Sequence, residues 1–342
     1  AIYSNWAGSN SGFGYTFYSY QSEHKFEALY GPSQNVFRTS NFLDVAWYDQ
    51  YGGDNVSLTF ASSTLLLSNI GRGAVGLVSV AYGGEGGNNF RLSLLDCTVG
   101  MQDVVMNSNS YFVLSWQFMN SGNNVSVSAS NTSFSVVGVI DNKKKDVPLF
   151  SFDWRSKESG DRFHFELDHS SSVFISNSSM NSFLQAVVQT PQILNDWKVV
   201  LPNIVLQNTR IDALLNLNCQ LPPQTLEFSS ENVHVENSTM TFAYIIVPEK
   251  TAPQTIVWDK QFKHNVTFSS LTFVDSDVTL VNAVCSAGMV VNVLLYTVVE
   301  NLRVVGGTFL GLSASQEIQA SIYSWAFTGM LSSILIERVQ SV

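Results

Sequence analysis

Charge is what this sequence has least of. Asp, Glu, Lys and Arg make up 13% of its 342 residues, about half the share of an ordinary soluble domain. Seventeen Lys and Arg against 27 Asp and Glu leave a formal net charge of −10. Nucleic acid recognition needs clustered cations to displace counterions. The one basic run is Lys143-Lys144-Lys145, set between Asp141 and Asp146, and it reads as a solvated turn. Neither nucleic acid nor an anionic membrane surface is an expected partner.

Cysteine is nearly as scarce. Cys97, Cys219 and Cys285 lie too far apart for a zinc motif or a dense disulfide framework. The odd count leaves at least one thiol unpaired. "LLDCTVG" and "VNAVCSAG" place the cysteine among apolar residues, where a free thiol packs as a small hydrophobe. The alternative is one disulfide plus a spare thiol. Proline is limited to 8 residues, and a 3.6-residue helical period is hard to find. No Asp-Asp pair, Gly-His-Gly, G-x-S-x-G or H-E-x-x-H occurs. No cofactor or metal is expected.

Two uncharged runs, 278–299 and 318–336, are long enough to cross a bilayer as helices. The first is dominated by Val and broken by Asn282 and Asn292, and the second carries Gln319 and several hydroxyl residues. Neither has the flanking cations that orient a span. Consecutive buried strands would read the same way, and that is the expectation here.

What fills the polar positions is Ser, Asn and Thr, and they fall in a repeating phrase. "NVSLTFASSTLLLS" (55), "NFRLSLLDCTVGM" (89), "NVSVSASNTSFSVVG" (124), "RFHFELDHSSSVFIS" (162), "DWKVVLPNIVLQNT" (196) and "TLEFSSENVHVENST" (225) all open on a polar residue and then alternate. "NVTFSSLTFVDSDVTLVN" (265), "NVLLYTVVENLRVVGG" (292) and "MLSSILIERVQSV" (330) continue the series. Alternation of period two marks strands with one buried face. Paired short strands recurring every thirty-odd residues describe one turn of a coil. Such a coil buries its apolar face only by stacking on the next, about 4.8 Å away. The expected fold is all-β: a right-handed parallel β-helix of about nine coils over 55–342, on the order of 40 Å long. A tandem of antiparallel sandwiches is the alternative, but breaks near 100-residue intervals are not evident.

These phrases, "VTFSSLTFVDSDVTLVN" and "VENLRVVGGTFLG" above all, resemble right-handed β-helices of the pectin-lyase-like class. The Val/Asn/Ser-rich repeats are also loosely similar to large kinetoplastid dispersed-gene-family surface proteins. Many β-helices are polysaccharide hydrolases or lyases, so chemistry is weighed against that resemblance. The hydrolases' Asn-Thr-Asp is "NTR" here, at 208–210. Their Asp-Asp and Gly-His-Gly are missing.

Residues 1–54 are rich in Tyr, Phe, Trp and Gly with poor periodicity. They are expected to form an N-terminal cap or irregular first coils, or else an aromatic sugar-binding platform. The sequence starts at Ala1 without a Met or leader and stops inside a phrase at "IERVQSV". It is therefore expected to be a segment that continues beyond these ends or stacks on another subunit.

Six Asn-x-Ser/Thr sequons, at Asn55, Asn124, Asn131, Asn177, Asn237 and Asn265, are candidate N-glycosylation sites. Asn55, Asn124 and Asn265 are expected at the corner before a coil's first strand, with Val56, Val125 and Val266 turned inward. One candidate acid–base or metal ladder exists: His164, Glu166 and Asp168 alternate with Phe163, Phe165 and Leu167, which puts them in phase on one face. Asp275 and Asp277 share the same spacing. "YGGEGGNNF" (82–90) lacks a phosphate-loop lysine and is expected to be a flexible corner insertion.

The expected function is a non-catalytic structural or adhesive rod, extracellular or at the cell surface by a eukaryotic secretory route. Its expected partners are N-linked glycans, other surface proteins or further copies stacked end to end. A lyase-like carbohydrate-active β-helix is the alternative, and a viral fibre is a third.

Overall fold

The structure is a computed structural model that describes residues 2–6, 14–27, 40–47, 52–73, 75–106, 111–117, 119–141, 148–190, 194–219, 223–247, 262–285, 293–314 and 333–337. The chain is an all-β parallel β-solenoid, with no helix among the described residues. The described strands fall into three parallel stacks, each strand pairing with its counterpart one turn away, and the two-residue strand Ile140–Asp141 adds a short rung between the second and third stacks. The first stack runs through Thr16–Tyr20, Ser57–Ala61, Arg91–Leu95, Val125–Ser130 and Phe163–Leu167. The second runs through Glu23–Glu27, Thr64–Gly73, Thr98–Met106, Ser133–Val137 and Ser172–Ser176. The third runs through Ile2–Trp6, Ser40–Trp47, Val75–Tyr82, Phe112–Trp116 and Phe150–Trp154. Further along, Trp197–Gln207 and Thr225–Glu236 each span the first two stacks in one strand. Phe262–Cys285 and Val293–Ala314 sweep through all three.

Turns starting at 55, 89, 124, 162, 196 and 225 make up the central six. Ile2–Trp6, Thr16–Tyr20, Glu23–Glu27 and Ser40–Trp47 pair onto them from one side, in the same three stacks. The apolar run from 278 holds the end of Phe262–Cys285 and the start of Val293–Ala314, both strands. The described residues include no helix long and apolar enough to cross a membrane. The lysine run 143–145 and most of 318–336 lie outside the described residues.

Alternation sets the core. Leu58, Leu92, Val127, Phe165, Val199, Phe228 and Val266 follow one another up the first stack, all buried. Beside them Trp47, Tyr82, Trp116 and Trp154 stack through the third strands, with centroids 4.7, 5.7 and 5.1 Å apart and planes within 7°. Offset stacking of this kind adds about 0.5–1.5 kcal/mol per pair to area burial. The turns leaving these strands repeat a short motif: GDNV at 53–56, GNNF at 87–90, GNNV at 122–125 and GDRF at 160–163. Gly53, Gly87, Gly122 and Gly160 have φ of +65° to +85°, and a side chain there would run into the rings. The indole N–H groups of Trp116, Trp154 and Trp197 donate to the carbonyls of Gly87, Gly122 and Gly160. The expected flexible insertion at 82–90 is thus a close-packed turn. Gly86 bridges to Gly52, and Gly87 closes over the Tyr82 and Trp116 rings.

Polar ladders pin the corners. Asp54, Asn88, Asn123 and Asp161 each accept, through Oδ1, the backbone N–H of the equivalent residue on the next turn, at 2.8–3.0 Å. Within or just after the strands of the second stack, Asn69, Asp103, Asn177, Asn208, Asn237 and Asp275 hold φ of 45–55°, a left-handed conformation that Asn and Asp tolerate best among residues with a side chain. The residue after each of the last four is a buried Ser or Thr. The Ser178, Ser238 and Ser276 hydroxyls accept N–H groups from Val139, Thr209 and Ser238 on adjacent turns.

Candidate functional site

All six sequon asparagines are exposed, and they fall on different edges of the solenoid. Asn55 and Asn124 sit at the corner before a first strand, with φ of 57° and 59°. Their amides join a ladder through Asn89: Asn124 Nδ2 donates to Asn89 Oδ1, and Asn89 Nδ2 donates to Asn55 Oδ1. Asn131 turns the corner between first and second strands, and its Nδ2 donates to Asp96. Asn177 and Asn237 turn the corner after the second strand. Asn265 departs from expectation. It lies within Phe262–Cys285, paired with Glu227 and Tyr296. Val266 aligns through Phe228, Val199 and Phe165 with Val127, not Val125. The phrase at 265 is therefore two residues out of register with those at 55 and 124. A shift of two keeps the inward–outward parity of a strand, so Val266 still points into the core.

The His164, Glu166 and Asp168 ladder is only partly assembled. His164 and Glu166 face outward from Phe163–Leu167, where Lys198 Nζ lies 3.2 Å from Glu166 Oε2. Asp168 turns into the corner instead and accepts from the hydroxyls of Ser130, Ser170 and Ser171 and from Asn131 N–H. Partial burial pushes its carboxyl up, but these hydrogen bonds outweigh that and hold it well below the usual carboxylate range. It serves as a turn clamp. His169 beside it is raised by its hydrogen bond to Glu231. No group of three His, Cys, Asp or Glu side chains suited to a metal occurs among the described residues. Tyr18 and Tyr20, in the N-terminal region, expose two near-parallel rings 6.3 Å apart on Thr16–Tyr20.

A larger feature was not expected from the sequence. Along Ser179–Val188 and Arg210–Cys219 the alternation gives way to five consecutive buried residues. Here the pairing of Arg210–Cys219 with Thr239–Val247 shifts register between Ile211 and Leu215. Beside it lies a groove of about 450 Å³, within the size range of small-molecule sites. Arg210, Thr239, Asp277 and Thr308 form one row across successive turns. Asn181, Asp212, Thr241, Thr279 and Leu310 line it two residues further on, over Ile211, Met240 and Val278. Arg210 Nε stands 3.5 Å from Asp212 Oδ1.

No protein-family profile, curated protein or solved structure matches this chain. Functional argument therefore rests on the chemistry of these surfaces. The groove offers two carboxylates, one guanidinium, amides and hydroxyls in rows set by the stacking distance. Arg210 and Asp277 are two turns apart, about 9.6 Å along the stack. That spacing suits holding an extended polar molecule. A sequence signal for the groove existed in the broken alternation of "RIDALLNLNC", but it reads equally well as a fully buried strand.

Proposed function

We propose that this chain is a non-catalytic structural or adhesive rod, displayed outside the cell as a glycoprotein. One observation carries the reading. Each sequon asparagine is exposed while its immediate successor, Val56, Val125, Thr132, Ser178, Ser238 or Val266, is buried. Sugars on these asparagines project sideways from the stack and leave the rungs and buried hydroxyl ladders undisturbed. The finer parts of the reading are a right-handed, pectin-lyase-like coil, a place within a larger surface protein and end-to-end association. Secretory expression with intact-mass analysis before and after enzymatic deglycosylation tests it. A mass shift at several sequons is expected, and a chain carrying no sugar would sink the proposal. Negative-stain microscopy of native material separates single rods from filaments.

The groove favours a second reading, a lyase-like carbohydrate-active enzyme, because Arg210, Asp212 and Asp277 line one polar cleft. A depolymerisation screen with and without Ca²⁺ decides between them. New chain ends that vanish in a D212N/D277A variant would establish catalysis.

A further inference from the structure

We infer that the groove at Arg210, Asp212 and Asp277 binds a neutral, hydroxyl-rich glycan, which would make it the adhesive surface of the rod. This rests on the adhesive reading above and adds to it the ligand class.

Four observations point to such a ligand. First, the acceptors outnumber the cations: Asp212 and Asp277 flank a single guanidinium that already lies against Asp212. Carboxylates accept strongly from sugar hydroxyls, whereas a uronate or sialyl group would meet like charge on a chain already at −10. Second, apolar surface lies within the same groove. Leu310 is 45% exposed on its rim, and Met240 and Val278 lie in its floor, which suits the C–H faces of pyranose rings. Third, the groove is lined by the amides of Asn181 and Asn282, which both donate to and accept from hydroxyls. The buried Asn216 Nδ2 donates to Asn181 Oδ1 and so fixes that amide in place. Fourth, the lip of the groove carries two sequons. Asn177 and Asn237 turn the corner two residues before Ser179 and Thr239, in the row that opens the groove. A sugar can therefore reach it from two sources, a glycan on this chain's own lip or one from another molecule. The recognition chemistry is the same for both.

Calorimetric titration of the secreted protein with neutral manno-, cello- and chito-oligosaccharides tests this, with an oligogalacturonate as the acidic comparison. Four proteins are compared: wild type, D212N/D277A, the combined D212N/D277A/N177D/N237D, and N177D/N237D; alanine is used at 277 because asparagine there would create a new sequon with Thr279. The last removes both lip sequons while keeping a residue the corner accepts, since Asp103 and Asp275 hold that conformation natively. Binding of a neutral oligosaccharide to wild type, weakened about tenfold or more in D212N/D277A, identifies an external ligand. Binding seen only in N177D/N237D, and lost when D212N/D277A is added, identifies the chain's own glycan as the occupant. The inference is overturned if no neutral oligosaccharide binds either protein at millimolar concentration. It is equally overturned if D212N/D277A binds as well as its parent, or if the oligogalacturonate binds tighter. Sequon occupancy is read separately by mass. Occupied protein that binds nothing removes the groove proposal alone, and unglycosylated protein that still binds removes the glycoprotein reading alone.

Discussion

The indole rings of Trp116 and Trp154 lie 5.1 Å apart and within 7° of parallel, one turn of the solenoid separating them. Gly122 closes over their edges, and its carbonyl accepts the Trp154 Nε1 hydrogen at 3.1 Å. Stack and turn therefore support each other. The ring needs a neighbour without a side chain, and the left-handed turn needs a residue free to adopt it.

Gly122→Ala should test that coupling. Its Cβ would fall 2.5 Å from a Trp116 ring carbon at a φ of +65°. Left-handed backbone and forced overpacking each cost about 1–3 kcal/mol. A loss of about 2–4 kcal/mol in urea unfolding is expected, comparable to deleting a stacked indole. A near-neutral variant would show that the turn relaxes freely.

The polar ladder predicts a contrast between two substitutions at one site. Asp161 Oδ1 accepts both the N–H and the Nδ2 of Asn195. Asp161→Ala leaves the Asn195 N–H without this acceptor and should cost about 1–3 kcal/mol. Asp161→Asn keeps the acceptor, as Asn88 and Asn123 do on earlier turns, and should cost a few tenths (~0.3 kcal/mol). Equal losses would mean the ladder contributes nothing specific.

Acid should loosen the C-terminal turns. His264 is buried, and its Nε2–H donates to the Pro223 carbonyl. Burial lowers its pKa from 6.5 to about 4, against the smaller opposing effect of that carbonyl. The folded state therefore resists protonation that the unfolded chain accepts, and stability falls as pH drops from about 6.5 toward 4. The shift is worth about 3 kcal/mol. Asp168 acts in the same direction at lower pH: its carboxyl is held low, so its contribution is present above 3.8 and lost as pH falls. A His264→Leu variant should show a flatter stability profile between pH 7 and 4. An unchanged slope would place the acid sensitivity elsewhere.

The thiols should behave as packing atoms. Cys97 and Cys219 are free and buried. Burial pushes Cys219 up to about 12 and raises Cys97 as well. Asn218 pairs with Ile246 and Val247 with Cys285, so Cys219 and Cys285 stand two turns apart, about 9.6 Å. That exceeds the reach of a disulfide. Cys97 and Cys219 should stay unreactive to a thiol reagent until denaturation exposes them, and reducing agent should leave the melting temperature unchanged. A melting temperature lowered by reduction would contradict this register.

Much of the architecture could be read from the chain. The openings at 55, 89, 124, 162, 196 and 225 coincide with turn starts because each places a polar corner before an inward apolar residue. The opening at 265 misled, since period two does not distinguish a register from one shifted by two residues. Aligning on glycine instead of asparagine would have exposed the four-residue turns GDNV, GNNF, GNNV and GDRF, and with them the tryptophan stack. The sequons also have a structural source. At 131, 177 and 237 the corner needs a left-handed Asn followed by a small hydroxyl residue for the buried ladder. That requirement supplies the Asn of each sequon, whereas the hydroxyl residue two positions on, Ser133, Ser179 or Thr239, is the exposed first residue of the next strand.

What the sequence determined by itself is the repeat: strands of period two, corners of Asn, Asp and Gly, and a core that only stacking can bury. Those are local properties, set by side-chain alternation and by the few residues that accept a left-handed backbone. Which side chains share the groove was decided by tertiary structure. Asn181, the Arg210 and Asp212 pair, and Asp277 lie on different turns, and they meet because those turns stack in register. That juxtaposition belongs to the assembled solenoid, where stacking between turns decides which outward side chains are buried and which line a cleft.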